Sequence, residues 1–370
     1  MSDRIRVGMI GAGNIARTHA RAYQAFPESA EIVAFADIHE DTARQAAEEL
    51  GAPSHYADYK EMLARDDIDL ISVCTPPFEH ARNSIDALQA GKHVLCEKPM
   101  AGSLQECDAM IEAARSNGKT LSQVFQYRYF RDSLMAKALI DEGKLGRIIF
   151  AKMDAMWWRG PTYYDLWWRG TWEKECGGAT LNHAIHPVDL YGWLMGGLPE
   201  SVSADMGSFT HDIEVEDLSI AMLRFPDGAL GQMTSSVSLH QNLNRLEICG
   251  DEASVTLPWD VHVTKERGRG MAAVDEEKAK ELKEWAESRI PEPAHGGHAA
   301  QIGEVLKSLQ AGRVPAVTGS EGRKSIEMVM GLYKAALTGE RVRFPITEED
   351  RYYGKVSEVR GESSPPVALR

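Results

Sequence analysis

The stretch Arg6-Val7-Gly8-Met9-Ile10-Gly11-Ala12-Gly13-Asn14-Ile15-Ala16 decides the fold of this chain. A run of strand length and mostly apolar character ends at Ile10. From Asn14 to Phe26 the residues Ile15, Ala16, His19, Ala22 and Tyr23 recur at helical spacing. A strand turning through G-x-G-x-x-[GA] into a helix opens a βαβ unit. Gly11 permits the tight turn, Gly13 lets a pyrophosphate approach the backbone, and Ala16 lets the helix pack on the strand. The phosphate charge then rests on the free N–H groups at the helix start, around Asn14 and Ile15. Asp37 closes a second strand twenty-one residues after Ala16. A carboxylate there can accept from both hydroxyls of an adenosine ribose; its alternative role is to cap the next helix. Ile38 and His39 follow, with no Arg or Ser to hold a 2′-phosphate, so NAD is expected over NADP.

The alternation continues outward from this unit. Strands are expected at Glu31–Ala36, Leu70–Cys74, His93–Cys96 and Thr120–Phe125, and helices at Asp41–Leu50, Pro76–Gly91 and Leu104–Ser116. Such a series folds as a parallel sheet with helices on its faces, an α/β Rossmann arrangement. Beyond it come strand-like runs at Arg147–Trp157, Ser201–Phe209, Leu218–Phe225, Ala229–Val237, Leu243–Ile248 and Ser254–Leu257. Pro226-Asp227-Gly228 forms a hairpin turn between two of them. The expectation is therefore two domains: 1–122, which binds the cofactor, and 123–370, an α+β domain with an open, largely antiparallel sheet for substrate binding and oligomerisation. Val274–Arg289 reads as a charged surface helix, and the last twenty residues as a tail or docking arm.

Composition bounds the function. The 370 residues carry 41 Lys+Arg against 55 Asp+Glu, a net charge of −14, which argues against a nucleic-acid partner. With 43% apolar residues the chain can bury a real core, yet no run approaches the ~18 apolar residues of a membrane span. The polar start Met1 to Arg6 has no signal-peptide pattern. Five cysteines without a C-x-x-C pair suggest neither a disulfide framework nor a zinc knuckle. A cytoplasmic protein is expected.

Three further motifs follow the glycine loop in order: Cys74-Thr75-Pro76-Pro77-Phe78-Glu79-His80, Glu97-Lys98-Pro99, and Gly177-Gly178-Ala179-Thr180-Leu181-Asn182-His183-Ala184-Ile185-His186-Pro187-Val188-Asp189. Together with Gly297-His298-Ala299-Ala300-Gln301 and Gly319–Leu337, they make the chain resemble the glucose–fructose oxidoreductase and inositol dehydrogenase family over most of its length. The resemblance implies NAD(P)-dependent sugar or cyclitol oxidoreduction. Cofactor contacts are implied at Thr75, Pro76, His80, Glu97, Lys98 and Gln126, and from the Trp168-Arg169 loop. Lys98 would lie beside the substrate alcohol, and His186 would be the acid/base. Tyr127 and Arg128 would be linker residues near the cofactor. Many family members carry Asp where this chain has Asn182, so no Asp–His relay is expected, although the amide can orient a substrate hydroxyl. The residue types agree independently. A His can take an alcohol proton at neutral pH, and a Lys can stabilise the developing negative charge on oxygen. Asn182, His183, His186 and Asp189 do not make up a zinc ligand set, so no metal is expected.

Five of the eight tryptophans fall within residues 157–172, beside Arg159, Tyr163, Tyr164 and Arg169. Flat aromatic faces with Arg forks suit a sugar ring, so Arg159, Tyr163, Tyr164, Trp168, Tyr127 and His183 are candidate substrate contacts. The same residues could instead pack a loop or a subunit contact. Three functions compete: a net dehydrogenase; a redox-assisted glycosidase that oxidises C3 transiently, eliminates the aglycone and adds water; and a non-enzymatic sugar or NAD sensor. Retention of Lys98 and His186 counts against the sensor. In the strand Leu218–Phe225, Leu218, Ile220 and Met222 share one face while Ala221, Leu223 and Phe225 share the other. A strand apolar on both faces needs cover on both, so a homodimer or homotetramer built on this sheet is expected, the alternative being that the C-terminal helices and tail wrap the second face.

Overall fold

A computed structural model of the chain describes residues 4–359, so the Ser-Ser-Pro-Pro part of the expected tail lies outside the described residues. Packing divides the chain into two units. The first runs to Gln126 and takes in Glu173–Cys176 and His295–Ile326; the second holds Tyr127–Trp172, Gly177–Ala294 and the chain from Glu327 onward. The first unit thus includes a late segment that a single cut at residue 122 leaves out.

In the first unit, β1 (Ile5–Ile10), α1 (Asn14–Gln24), β2 (Ala30–Ala36), α2 (Glu40–Leu50), β3 (Ser54–Tyr56), α3 (Tyr59–Leu63), β4 (Leu70–Val73), α4 (His80–Gln89), β5 (His93–Cys96), α5 (Leu104–Ser116) and β6 (Leu121–Gln123) alternate along the chain. The sheet order is β3-β2-β1-β4-β5-β6, all parallel, and the order of addition switches sides between β1 and β4. Ligands bind such sheets at that switch point, beyond the carboxyl ends of the strands. Leu70–Val73 is buried throughout because helices cover both faces. The later segment Gly297–Gln310 returns to this unit, and its Ile302, Val305 and Leu306 join Ala16, Ala20 and Tyr23 of α1 in one core.

The second unit contains α6 (Arg131–Asp141), β7 (Ile148–Trp158), α7 (Ile185–Leu194), β8 (Ser201–Gly207), β9 (Leu218–Arg224), β10 (Leu230–Ser236), β11 (Ser238–Gly250), β12 (Ser254–Leu257), β13 (Asp260–His262), the ribbon β14 (Thr264–Glu266) and β15 (Ala272–Val274), and α8 (Glu276–Arg289). Then come α9 (Gly297–Gln310), which belongs to the first unit, α10 (Gly319–Thr338), β16 (Val342–Arg343) and α11 (Val356–Val359). Its large sheet has the order β13-β12-β11-β7-β10-β9-β8-β16 and is antiparallel except for the β7–β10 pair. The expected Pro226-Asp227-Gly228 hairpin is present; Gly228 adopts φ +91°, and Phe225 N–H donates to the Ala229 carbonyl. Alternate residues Ala221 and Leu223 are buried, as are Met153, Met233 and Ile248 in register beside them. Tyr191 of α7 lies under Gly231, whose position admits no Cβ without meeting the Tyr191 hydroxyl. On the opposite face Ile220 (49%) and Met222 (63%) are exposed.

Candidate active site

In the first unit the glycine loop has the form that phosphate binding needs. Gly11 adopts φ +90°, and a Cβ there would stand 2.6 Å from the Cys74 carbonyl oxygen. At Gly13, by contrast, no non-neighbouring atom of the described residues lies within 4 Å of where a Cβ would be. Gly13 caps α1 without a side chain, and the first turn of α1 carries no acidic residue, so the helix start is free to receive negative charge. Asp37 accepts from Ala12 N–H and His39 N–H, each at 2.9 Å, one on each carboxylate oxygen. The cap of α2 is His39. Asp37 is therefore a brace of the loop rather than a helix cap, and each oxygen keeps a lone pair for a ribose hydroxyl. Gln126, at the end of the unit's first segment, holds its Oε1 buried with no hydrogen-bond partner among the described residues. An acceptor left in that state suits a bound ligand, so the residues fit a dinucleotide.

Thr75 accepts from Asn83 Nδ2 at 3.1 Å, and Pro76 leads into a 3₁₀ turn at Pro77–Glu79. His80, expected among the cofactor contacts, has both ring nitrogens against backbone carbonyls, Pro99 O at 2.7 Å and Thr75 O at 2.8 Å. Two carbonyls would favour the charged ring, but burial outweighs them and pushes its pKa down. This ring clips the loop after β4 to the loop after β5. Lys98 is half-buried just past the end of β5, and its backbone N–H donates to Glu97 Oε2 at 3.0 Å. Glu97 is 4% exposed and turns inward, toward His19 at 2.8 Å.

In the second unit the double glycine before His186 is a requirement of packing. A Cβ on Gly177 would overlap the Tyr333 hydroxyl, and one on Gly178 would overlap the Glu216 carbonyl. Glu216, fully buried, accepts from Gly178 N–H at 3.0 Å, Thr180 N–H at 2.8 Å and the Tyr333 hydroxyl at 3.1 Å. Burial raises its pKa, opposed by those backbone hydrogen bonds. From this anchor the chain makes one π-turn, Ala179–His183, closed by Ala184 N–H to the Ala179 carbonyl at 2.9 Å. Such turns recur at functional sites. α7 then starts at Ile185, with His186 8% exposed.

Two consecutive residues hold that helix. The Tyr127 ring stacks on His186 with centroids 4.9 Å apart, and Arg128 forks Asp189, Nε and a terminal nitrogen donating at 2.8 and 2.7 Å. Arg128, expected near the cofactor, is committed to Asp189. The pair is buried on both sides, and removing either member would cost about 3–5 kcal/mol. Asn182 is buried on the π-turn, its Nδ2 3.4 Å from the Gly177 carbonyl oxygen. His183 packs against Tyr163 (5.3 Å) and Trp157 (6.4 Å). Arg169 lies over both Tyr163 and Trp168, at 3.9 and 4.1 Å from their ring centroids, and Arg159 lies 5.3 Å from the Tyr163 ring. Tyr164 stands edge-on to Tyr163 and packs on His211. The aromatic segment thus gathers Arg159, Tyr163, Tyr164, Trp168, Arg169 and His183 into one cluster. Glu216 and the Arg128–Asp189 fork escaped the sequence reading. Only the Asp189 spacing from His186 hinted at either.

A family model described as "Oxidoreductase family, NAD-binding Rossmann fold" matches residues 5–125, and the GFO/IDH/MocA C-terminal domain matches residues 133–256. The chain is 28% identical to a myo-inositol 2-dehydrogenase of Thermotoga maritima, over 87% of this chain and 93% of that one. It is 27% identical to a D-glucoside 3-dehydrogenase of Escherichia coli, over 92% and 98%. The crystal structure of the WlbA dehydrogenase from Bordetella pertussis, in complex with NADH and UDP-GlcNAcA, superposes with a TM-score of 0.82 at 29% identity, covering 94% of this chain and 100% of that one. With the glycine loop, Glu97-Lys98-Pro99 and the His186 helix in place, the chain belongs to the GFO/IDH/MocA family of NAD-dependent sugar and inositol oxidoreductases.

Proposed function

We propose that this enzyme uses NAD to oxidise a secondary alcohol of a sugar, sugar derivative or cyclitol, with Lys98 and His186 as its catalytic residues. The observation that carries this reading is the way His186 is held. A buried carboxylate, a π-turn, a stacked tyrosine and a buried ion pair all fix one imidazole at the start of α7. A positioned His takes the alcohol proton as the C–H bond breaks. The Lys98 ammonium stabilises the negative charge developing on that oxygen. Asn182 orients a neighbouring hydroxyl, and the aromatic cluster supplies flat faces for the ring's C–H groups. NAD, when bound, accepts the hydride; Gly11, Gly13, Asp37 and Gln126 hold it. The test is a panel of pyranosides, sugar acids and cyclitols with NAD. Stoichiometric NADH and a keto product from at least one member support the reading, and no NADH from any of them overturns it.

The sheet face bearing Ile220 and Met222 extends the proposal to a homo-oligomer. Both side chains are about half or more exposed, whereas Ala221 and Leu223 on the other face are buried. All five cysteines are free thiols, which suits a reducing cytoplasm. No helix among the described residues is long and apolar enough to cross a membrane.

A further inference from the structure

Glu97 lies at the centre of a buried polar chain that the catalytic reading does not use. The Tyr23 hydroxyl is 3.3 Å from Ser72 Oγ, Ser72 Oγ is 2.9 Å from His19 Nδ1, and His19 Nε2 is 2.8 Å from Glu97 Oε1. Burial pushes the Tyr23 phenol up, so it remains a donor. One assignment satisfies every link: Tyr23 O–H to Ser72, Ser72 O–H to His19 Nδ1, and His19 Nε2–H to the carboxylate. The other carboxylate oxygen, Oε2, accepts the Lys98 backbone N–H at 3.0 Å. His298, at the start of α9, brings its Nε2 to 3.6 Å from Oε1.

We propose that Glu97 is a positioning residue for Lys98: its carboxylate, fixed by His19 and flanked by His298, holds the Lys98 backbone and keeps a negative charge beside the ammonium. This rests on the reading of Lys98 as catalytic. Two features of the site require a carboxylate. Each oxygen meets an N–H donor, and a side-chain amide offers an acceptor at only one of its two ends. Glu97 also stays ionised in spite of burial, which by itself would raise its pKa. The hydrogen bond from His19 and the nearby Lys98 charge, with the His298 ring on the other side, outweigh burial and hold it well below the usual carboxylate range. The groups facing it are His19 from α1, Cys74 just past β4, His80 from α4, Cys96 and Lys98 from its own segment, and His298 from α9. Of the thiols, Cys74 is pushed up first by burial and then by the Glu97 charge, so it adds no competing negative charge.

His19, Glu97 and His298 also have the spacing of a metal trio, with ligand atoms all within 4.8 Å of one another. The hydrogen-bond chain from Tyr23 accounts for the His19–Glu97 distance without an ion, and His298 stands at 3.6 Å, beyond a hydrogen bond.

The experiment compares wild type, Glu97→Gln, His298→Ala and Lys98→Ala for kcat, KM, NAD affinity, thermal stability and the pH profile of kcat/KM, with metal analysis of the purified protein. Glu97→Gln should lower kcat by ~10–10²-fold while substrate KM and NAD affinity stay within about threefold. Its alkaline limb should move to lower pH by about one unit, because the ammonium loses a neighbouring negative charge. His298→Ala removes a partner from the partly exposed side, should fold in any case, and should move kcat in the same direction by a few-fold. Wild-type kcat and an unshifted limb in both variants would overturn the proposal while Lys98→Ala stays inactive. So would a loss of activity that only tracks a loss of stability. A transition metal bound one per chain and lost in His298→Ala would overturn it too, making the trio a metal site. Full activity in Lys98→Ala would instead remove the catalytic reading beneath it.

Discussion

Two glycine-rich turns open helices in this molecule, and they are used in opposite ways. At the start of α1, Gly13 has open space around it, no side chain caps the helix, and no acid occupies the first turn. At the turn leading to α7, Gly178 is pressed against Glu216, whose carboxylate takes the N–H groups of Gly178 and Thr180. Backbone donors are available at both. In the first they are left for a ligand's phosphate, and in the second the protein fills them with its own buried charge. Glycine thus marks a binding site in one place and a rigid mount in the other. What separates them is whether an internal carboxylate already occupies the turn.

The largest effects should come from the two residues proposed to carry the chemistry. His186→Ala and Lys98→Ala should each lower kcat by ~10²–10⁴, the scale of losing a positioned acid/base or electrostatic group, with NAD affinity little changed. Measured by equilibrium titration, a large loss of NAD affinity in either variant would move that residue to the cofactor. The same substitution at the two glycines should then give opposite results. Gly178→Ala forces a Cβ into the Glu216 carbonyl and should cost about 3 kcal/mol of stability, read by denaturant unfolding. Gly13→Ala meets no protein atom, so stability should hold within about 1 kcal/mol while NAD affinity falls ~10-fold as the pyrophosphate loses its close approach. Equal destabilisation at both would erase the distinction.

Smaller effects sharpen the cofactor side and the sheet. Asp37→Ala should narrow the preference for NAD over NADP by ~10-fold in kcat/KM, since the carboxylate both accepts from ribose hydroxyls and repels a 2′-phosphate. A wild type that prefers NADP would refute the role of Asp37. Ile220→Arg with Met222→Arg should leave the fold intact and shift light scattering toward the 40.9 kDa monomer. A wild type already at that mass would remove the oligomer.

The first unit was legible because each of its signals is local. β1, the glycine loop and Asp37 lie within one βαβ repeat, and buried parallel strands read as mostly apolar runs. The second unit was legible where an apolar run is bounded by a turn signal, as in β9 before Pro226-Asp227-Gly228. It was not legible where polar residues carry the ladder: β11 extends from Ser238 through His240-Gln241-Asn242, across a register shift, well before the apolar run at Leu243. α6 passed unseen because Phe130 caps it without a side-chain bond. Motif spacing pointed to the proposed residues Lys98, Asn182 and His186, but Glu216 and Arg128 act across 36 and 61 residues of sequence, where no periodicity reports a contact. His19 looked like one more helical position; its partner Ser72 is 53 residues away.

The most direct test of net alcohol oxidation is a glycoside turned over in deuterated water with NAD. The account expects one NADH per keto product, the glycosidic bond intact and no deuterium at C2. Release of the aglycone with deuterium at C2 of the sugar and no NADH accumulating would contradict it, and would make the same Lys98 and His186 the agents of redox-assisted glycoside cleavage.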